Sequence, residues 1–550
     1  MSFRVLGCLR TNLSSGSVAV RALLLTSTLH VFSFVATPAP GATCESLADL
    51  KLPETTITLA KSFVAGAFTP PAGPPVSPII VPYSSLPGFC RVTGIIKPSS
   101  DSSIQFEVWM PSADWNGKLQ NPGNGGFAGT IPYPSMAVAL ARGYAVASTD
   151  TGHVGIDASW ALGHPEKVID FGYRAIHDTT IRAKEILRLF YGNGPHRSYF
   201  SSCSNGGRQA LVEAQRYPED YDGILAGAPA NFWTHLFSGF AWNAQVLNEP
   251  GNYIPASKLS AIEAAARAVC DGRDGVVDGV IDEPVKCHFD PSTLLCKGPE
   301  SDGCLTAPQI ATLKKIYAGP RTSKGEQIFP GFPPGGEDGP GGWGFWILGA
   351  KRGQSAQSWF GQQFFANMVF ENPSWEIKTF RVDEDVNAAD QKTGKILNAT
   401  DPDLKAFKDR GGKLILYHGW SDAAVAPENS INYYESVVAK MGQRNTGEFM
   451  RLFMVPGLQH CTDGPGTYSF GQWGSVAKAD PEHDITLALE RWVEKGIPPD
   501  AVIATKPVEQ FDPSKGVLRT RPLCAYPTVA RWKGTGSTDD ANNFVCVKTD

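Results

Sequence analysis

Arg197-Ser-Tyr-Phe-Ser-Ser-Cys-Ser-Asn-Gly-Gly207 is the stretch on which the fold turns. Residues 197–201 have the β-prone character of a strand, and residues 207–216 read as a helix, so a serine and two glycines occupy the turn between them. Outward from this point the same alternation continues. Residues 221–226 form the next strand, and 176–191 form an amphipathic helix that ends at Gly192-Asn-Gly-Pro195. Before these come strand-like runs at 105–110, 115–120 and 143–148, with a helix at 135–142. The pattern lapses after Ala230 and resumes with strands at 413–418 and 451–455 and a helix at 484–495. Strands alternating with helices predict a mostly parallel sheet with crossover helices. The chain therefore divides into an α/β domain made of residues 43–230 and 390–550, interrupted by an inserted lid of residues 231–389. That insert reads as irregular, rich in aromatics and in Gly/Pro loops such as Pro330-Gly-Phe-Pro-Pro-Gly-Gly-Glu-Asp-Gly-Pro340.

A serine at a strand–turn–helix junction is where an α/β-hydrolase places its nucleophile. The usual Gly-x-Ser-x-Gly stands here as Ser202-Cys-Ser-Asn-Gly206, with serine in place of the first glycine. The expected fold is an α/β-hydrolase core with a large inserted lid domain. The plainer reading of Ser204 is a helix cap in an ordinary glycine loop. Partners follow in the order serine, acid, histidine: Asp422 after the strand 413–418, and His460 after the strand 451–455. Both lie just past the C-terminal ends of strands, where open α/β sheets carry their sites. A turn aspartate and a surface histidine are the plainer readings of these two. Gly123-Asn-Gly-Gly-Phe-Ala-Gly129 follows an early strand and can bring a backbone N–H, from Gly125 or Gly126, to an oxyanion alongside that of Asn205.

A net charge of −5 over 550 residues, with no basic block, excludes nucleic acid as an expected partner. The first acidic residue is Glu45. Arg4, Arg10 and Arg21, an apolar run over 22–35 and small residues up to Ala42 precede it. That order reads as a secretory signal over residues 1–42, with a secreted or periplasmic protein and no membrane attachment after its removal. Cys8 falls in that segment, leaving ten cysteines, an even number that implies disulfides in an exported protein. No Cys-x-x-Cys pair suggests zinc. Short-range pairings offer themselves for Cys270–Cys287, Cys296–Cys304, Cys524–Cys546 and Cys44–Cys90, but sequence leaves connectivity open. If the remaining two, Cys203 and Cys461, are bonded, their neighbours Ser204 and His460 lie close together, because a disulfide holds its Cα atoms about 4.4–6.8 Å apart.

Asp271-Gly-Arg-Asp-Gly-Val-Val-Asp-Gly-Val-Ile-Asp282 spaces carboxylates along a glycine-rich turn, which suits a hard cation needing many oxygen ligands. Calcium would take Asp271, Asp274 and Asp278 with the carbonyls of Val276 and Val280. The alternative is a solvated acidic turn. Phe232, Trp233, Phe237, Phe240, Trp242, Trp343, Phe345, Trp346, Trp359 and Phe360 give the insert its aromatic character, as core or as the lining of an aryl slot.

The residues Cys203-Ser204, Asp422 and His460-Cys461 resemble the Cys-Ser/Asp/His-Cys pattern of the tannase and feruloyl esterase family. The stretches 123–129, Ser148-Thr-Asp-Thr-Gly-His153 and Phe171-Gly-Tyr-Arg-Ala-Ile-His177 resemble it too. The resemblance implies a secreted serine carboxylesterase with a calcium-bearing lid and a disulfide joining the nucleophile and histidine turns. It implies small aromatic esters from plant cell walls or tannins as substrates: feruloyl and other hydroxycinnamoyl esters first, then galloyl esters or the mono-ester of terephthalate and ethylene glycol. Arg321 and Arg352 are the lid cations considered for a free substrate carboxylate. The rival from another class is a non-catalytic, calcium-stabilised protein that binds phenolics.

Overall fold

The computed structural model describes residues 41–71, 81–509 and 512–548; the signal reading of 1–42 lies almost wholly outside them. The central sheet contains β1 (Thr55–Phe63), β2 (Phe89–Ile96), β3 (Ile104–Pro111), β4 (Lys118–Pro122) and β5 (Ala145–Thr149). It continues with β6 (Arg197–Cys203), β7 (Gly223–Gly227), β8 (Lys413–Gly419) and β9 (Met450–Val455). Their spatial order is β1-β2-β3-β5-β4-β6-β7-β8-β9. The first strands pair antiparallel as far as β3–β5, and every pairing from β5–β4 onward is parallel. Parallel neighbours need crossovers, supplied by the helices Tyr133–Ala141, Ala175–Tyr191, Asn205–Arg216 and Glu428–Met441.

Alternation along the strands sorts the core into two layers. Leu225, Ile415, Tyr417 and Phe453 face the helices Tyr133–Ala141 and Ile485–Lys495. Ile224, Ala226, Leu414 and Leu416 face the helices Asn205–Arg216 and Glu428–Met441. Both faces are covered, which is why these strands read as nearly continuous apolar runs.

The insert leaves after β7 and returns to its neighbour β8, Gly227 pairing with Tyr417. Exit and return are stitched together: Ala399 N–H donates to the Asn231 carbonyl at 2.8 Å, and Asn429 Nδ2 donates to Asn231 Oδ1 at 2.7 Å. The expectation of an irregular insert is corrected. It holds the helices Trp233–Asn248, Leu259–Cys270, Ala307–Ala318, Ala356–Gln363 and Val382–Ala389. Its core includes Trp233, Phe237, Phe240, Trp343, Phe364 and Phe365, and it extends to Phe127 and to Ala423–Ala426 of the α/β domain. The insert thus packs directly onto two loops that carry candidate site residues.

Beyond β9 the chain forms two hairpins, β10 (Ala501–Glu509) with β11 (Asp512–Cys524), and β12 (Thr528–Trp532) with β13 (Phe544–Lys548). Five disulfides join Cys44–Cys90, Cys203–Cys461, Cys270–Cys287, Cys296–Cys304 and Cys524–Cys546. Among the described residues no helix is long and apolar enough to cross a membrane.

Candidate active site

Ser204 stands between β6 and the helix Asn205–Arg216 with φ 66° and ψ −125°, a conformation that few non-glycine residues adopt. The surrounding backbone over-determines it. Ser204 N–H donates to the Gly227 carbonyl at 3.0 Å, and the Ser204 carbonyl accepts from Arg208 N–H at 3.0 Å and Ala230 N–H at 3.1 Å. The paired glycines make the turn sterically possible. A Cβ on Gly206 would lie 2.0 Å from Ser202 Oγ, and one on Gly207 would lie 2.3 Å from the Gly227 carbonyl oxygen. Serine can therefore replace the motif's first glycine because Gly206 leaves room for its side chain.

Asp422 lies in the turn after β8, and both its oxygens are fully engaged. Oδ1 accepts from Ala424 N–H at 2.7 Å and Val425 N–H at 2.9 Å. Oδ2 accepts from His460 Nδ1 at 2.7 Å and lies 3.2 Å from His418 Nε2. Burial alone would raise this carboxyl, but the charge of His460 and the hydrogen bonds of both imidazoles outweigh it and hold the group well below the usual carboxylate range. Since the carboxylate can only accept, Nδ1 of His460 carries the hydrogen and Nε2 is the basic nitrogen of the neutral ring. The two turns are also stapled by backbone, Ser421 N–H donating to the Leu458 carbonyl at 3.0 Å. A Cβ on Gly419 would lie 2.1 Å from that same oxygen, so only glycine lets the turns meet.

Ser204 and His460 line one cavity with Gly126, Asn205, Ala230, Trp233, Leu236, Phe237, Phe240, Trp346, Phe360, Ala424 and Val425. Its volume is about 50 Å³. The Cys203–Cys461 bond, with Cα atoms 6.0 Å apart, ties the residues flanking the serine and the histidine. Gly126 is at the cavity wall, with φ 54°, whereas Gly125 is exposed and does not line it. Of the two glycines considered as oxyanion donors, Gly126 is the one the fold brings to the serine. Asn124 fixes this loop: its N–H donates to Gln209 Oε1 at 2.9 Å and its Nδ2 to the Thr130 and Thr149 carbonyls at 2.8 Å.

The aromatic set splits in two. Trp233, Phe237, Phe240, Trp346 and Phe360 line the cavity, and Trp346 meets the His460 ring edge-on at 5.2 Å. Trp343 is buried core, while Phe232, Trp242, Phe345 and Trp359 lie outside the cavity wall. Arg321 and Arg352 are exposed, and neither lines the cavity.

Three supporting residues were given no role from the sequence, although His153 ends one of the family-like stretches. His418 Nε2 lies 3.2 Å from Oδ2 of Asp422. Arg208, fully buried, donates to Asn205 Oδ1 at 2.8 Å and to the Gly172, Phe171 and Leu397 carbonyls; burial pushes it down to about 9. His153 donates through Nε2 to the Phe127 carbonyl at 2.7 Å and so braces the glycine loop. A Gly-Gly-Arg spacing or a strand-end histidine gives no hint of these contacts, because tertiary neighbours define them.

In the acidic turn, Asp271 accepts the N–H groups of Asp278 and Gly279, Asp274 accepts that of Val276, and Asp278 accepts that of Val280. Val276 and Val280 bury their side chains, and the carboxyls of Asp274 and Asp282 meet beside a cavity of about 460 Å³. Asp278 Oδ2 is drawn to Arg519 at 2.8 Å and to Arg521. Oxygen-only donors in one turn suit a hard cation in their chemistry, but Asp271 accepts backbone N–H groups on both oxygens and two arginines compete for Asp278.

A family model described as tannase and feruloyl esterase matches residues 90–547. The chain is 45% identical to an uncharacterized esterase of Xanthomonas campestris, covering 96% of this chain and 94% of that one. It is 34% identical to a probable feruloyl esterase B of Aspergillus clavatus, covering 83% and 86%. The crystal structure of feruloyl esterase B from Aspergillus oryzae superposes with a TM-score of 0.84 at 30% identity, covering 92% of this chain and 99% of that one. A tannin acyl hydrolase from Aspergillus niger shares the fold, with a TM-score of 0.73 at 24% identity over 90% and 92%.

Proposed function

The chain belongs to the tannase and feruloyl esterase family and is a carboxylic ester hydrolase; from that premise we propose that it is a secreted serine esterase that cleaves esters of hydroxycinnamic acids through an acyl-enzyme. Ser204 Oγ attacks the ester carbonyl while His460 Nε2 takes its proton, and Asp422 holds the ring in the tautomer that leaves Nε2 basic. The N–H groups of Asn205 and Gly126 receive the oxyanion. The protonated His460 returns its proton to the leaving alcohol, and water releases the acid by the reverse sequence. The observation that carries this reading is the common cavity of Ser204 and His460, the latter on Asp422 at 2.7 Å.

The acyl side favours a hydroxycinnamoyl group over the alternatives. Apart from Ser204, Asn205 and His460, the lining is apolar or aromatic, with no charged side chain to meet the free carboxylate of a terephthalate mono-ester. For a galloyl ring's three hydroxyls it offers, beyond the reacting groups, only the indole N–H donors of Trp233 and Trp346. The slot measures about 50 Å³, with Trp346 and Phe360 the half-buried aromatic members of its wall. Five disulfides support export. Calcium is proposed as a structural ion held by Asp271, Asp274 and Asp278 with the carbonyls of Val276 and Val280; its positive charge would offset the crowded carboxylates there.

The test is turnover of methyl ferulate, methyl gallate and mono(hydroxyethyl) terephthalate by the wild-type protein and by Ser204→Ala. Ferulate should be cleaved fastest. The variant should lose about 10⁴-fold or more in kcat while unfolding normally. Undiminished hydrolysis by Ser204→Ala would remove the serine mechanism, and gallate outrunning ferulate would move the substrate to the tannase class. A serine-directed phosphonate should label Ser204, which a protein that only binds phenolics would not allow.

A further inference from the structure

We infer that His418 is a positioning residue of this site, a second imidazole whose N–H edge lies against Asp422 and sets how strongly that carboxylate polarises His460. The inference rests on the catalytic reading of Ser204, Asp422 and His460. A carboxylate offers about four acceptor positions. Three of those on Asp422 are taken by Ala424 N–H, Val425 N–H and His460 Nδ1. His418 Nε2 lies 3.2 Å from Oδ2, an electrostatic neighbour beside those three hydrogen bonds.

The tautomer of His418 follows from its other contacts. Nε2 lies 3.0 Å from the Val425 carbonyl, which can only accept, so Nε2 carries hydrogen and donates it there, with the carboxylate oxygen 3.2 Å away. Nδ1 lies 2.7 Å from Ser430 Oγ, whose hydroxyl donates to the neutral ring. His418, Asp422 and Ser430 expose essentially nothing to solvent. The result is a chain of contacts from Ser430 in the helix Glu428–Met441, through His418 at the end of β8, to Asp422 and on to His460. Among the described residues, the one charged group paired with His418 is Asp422, and the titratable groups acting on Asp422 are the two imidazoles. Trp346 packs edge-on against His460 and does not titrate.

A polarised N–H edge lying against a carboxylate stabilises its charge and so weakens what the carboxylate gives to another donor. Without His418, Oδ2 would bind His460 Nδ1–H more strongly, stabilise the imidazolium, and raise the pH at which His460 becomes a free base. A residue that merely filled space would leave that pH alone.

The experiment compares pH profiles of kcat/KM on methyl ferulate for the wild type, His418→Leu, His418→Gln and Ser430→Ala. His418→Gln keeps an N–H donor near the position of Nε2. In His418→Leu the acid limb should move up by about half a pH unit or more, with kcat about tenfold lower and KM little changed. His418→Gln should restore most of both. Ser430→Ala, which leaves the imidazole in place and only frees Nδ1, should shift the limb in the same direction by less; it serves if His418→Leu does not fold. Unmoved limbs in the folded variants, or equal losses for leucine and glutamine, overturn the inference. Phosphonate labelling of Ser204 separates the two readings: a wild type that hydrolyses ester without being labelled defeats the serine mechanism, whereas a labelled wild type with unmoved variant profiles defeats only the role of His418.

Discussion

His153 stacks on Trp160 with ring centroids 3.9 Å apart and holds the glycine loop through the Phe127 carbonyl. Burial pushes this imidazole down to about 4, against the smaller upward pull of its hydrogen bonds. In the unfolded chain the same ring takes its proton near 6.5. Between those values the unfolded state binds more protons, so stability falls as pH drops from about 6.5 to about 4 and levels off below; above 6.5 the ring contributes no slope. Asp150 and Glu337, whose carboxyls burial pushes up to about 7, act in the opposite sense. A variant at 153 leaves those two in place. His153→Gln retains a donor for Phe127 but does not titrate. Urea titrations of both proteins from pH 7.5 to 4 should show their stability difference swinging toward the variant by about 3 kcal/mol. A constant difference across that range would refute a neutral buried imidazole. Single residues were legible in the sequence where chain neighbours marked them: Ser204, Asp422 and His460 each stand in a turn after a strand, and cysteines flank two of them. His153, Arg208 and His418 were not, because each acts through a partner at least three positions away that only folding supplies.

Between β6, which ends at Cys203, and β9, which leads to Cys461, lie β7 and β8. Strands pair about 4.8 Å apart, so the two strand ends are separated by roughly 14 Å. The histidine loop must fold back across both intervening strands to reach the serine, and the disulfide holds it there. It closes a separation of 258 residues, for which the chain-entropy model assigns about 5.6 kcal/mol. Gln459 adds a noncovalent tie, accepting from Gly341 N–H at 2.9 Å and donating to the Asp338 carbonyl at 2.9 Å, so the insert grips the same loop. Replacing Cys203 and Cys461 together by alanine should therefore lower stability by about 3–5 kcal/mol and reduce kcat more than it raises KM, read from denaturant titration and ferulate kinetics. Retention of full kcat would mean that Gln459 and the Leu458–Ser421 bond hold the geometry without the clamp. The parallel strands and their crossovers were readable to within a few residues, since burial on both faces leaves apolar runs bounded by turns. The helix Trp233–Asn248 was not. None of its positions is exposed, so it lacks the polar stripe by which a helix announces itself.

At the scale of the whole molecule, the acidic turn is where three separate parts of the chain converge. It belongs to the insert. Asp278 pairs with Arg519 and Arg521 of β11, Glu283 pairs with Arg531 of β12, and Val280 reaches the loop that carries His460, a Cβ on Gly457 lying 3.2 Å from Val280 Cγ1. The sequence displayed the carboxylates but not this position, because no local pattern encodes which distant hairpin a turn will meet. An ion seated there would brace insert, hairpin and histidine loop at once. A site holding calcium at a thousand times its dissociation constant adds about 4 kcal/mol to folding, which in a chain of this length raises Tm by about 5 °C. Chelation of the purified protein should lower Tm by that order and depress kcat in parallel, and added calcium should restore both. Asp274→Asn should have a lower Tm than the wild type before chelation and respond less to the chelator. Equal melting of chelated and calcium-loaded wild type would mean that Arg519 and Arg521 alone neutralise the turn, leaving its carboxylates as partners of the C-terminal hairpin rather than ligands of an ion.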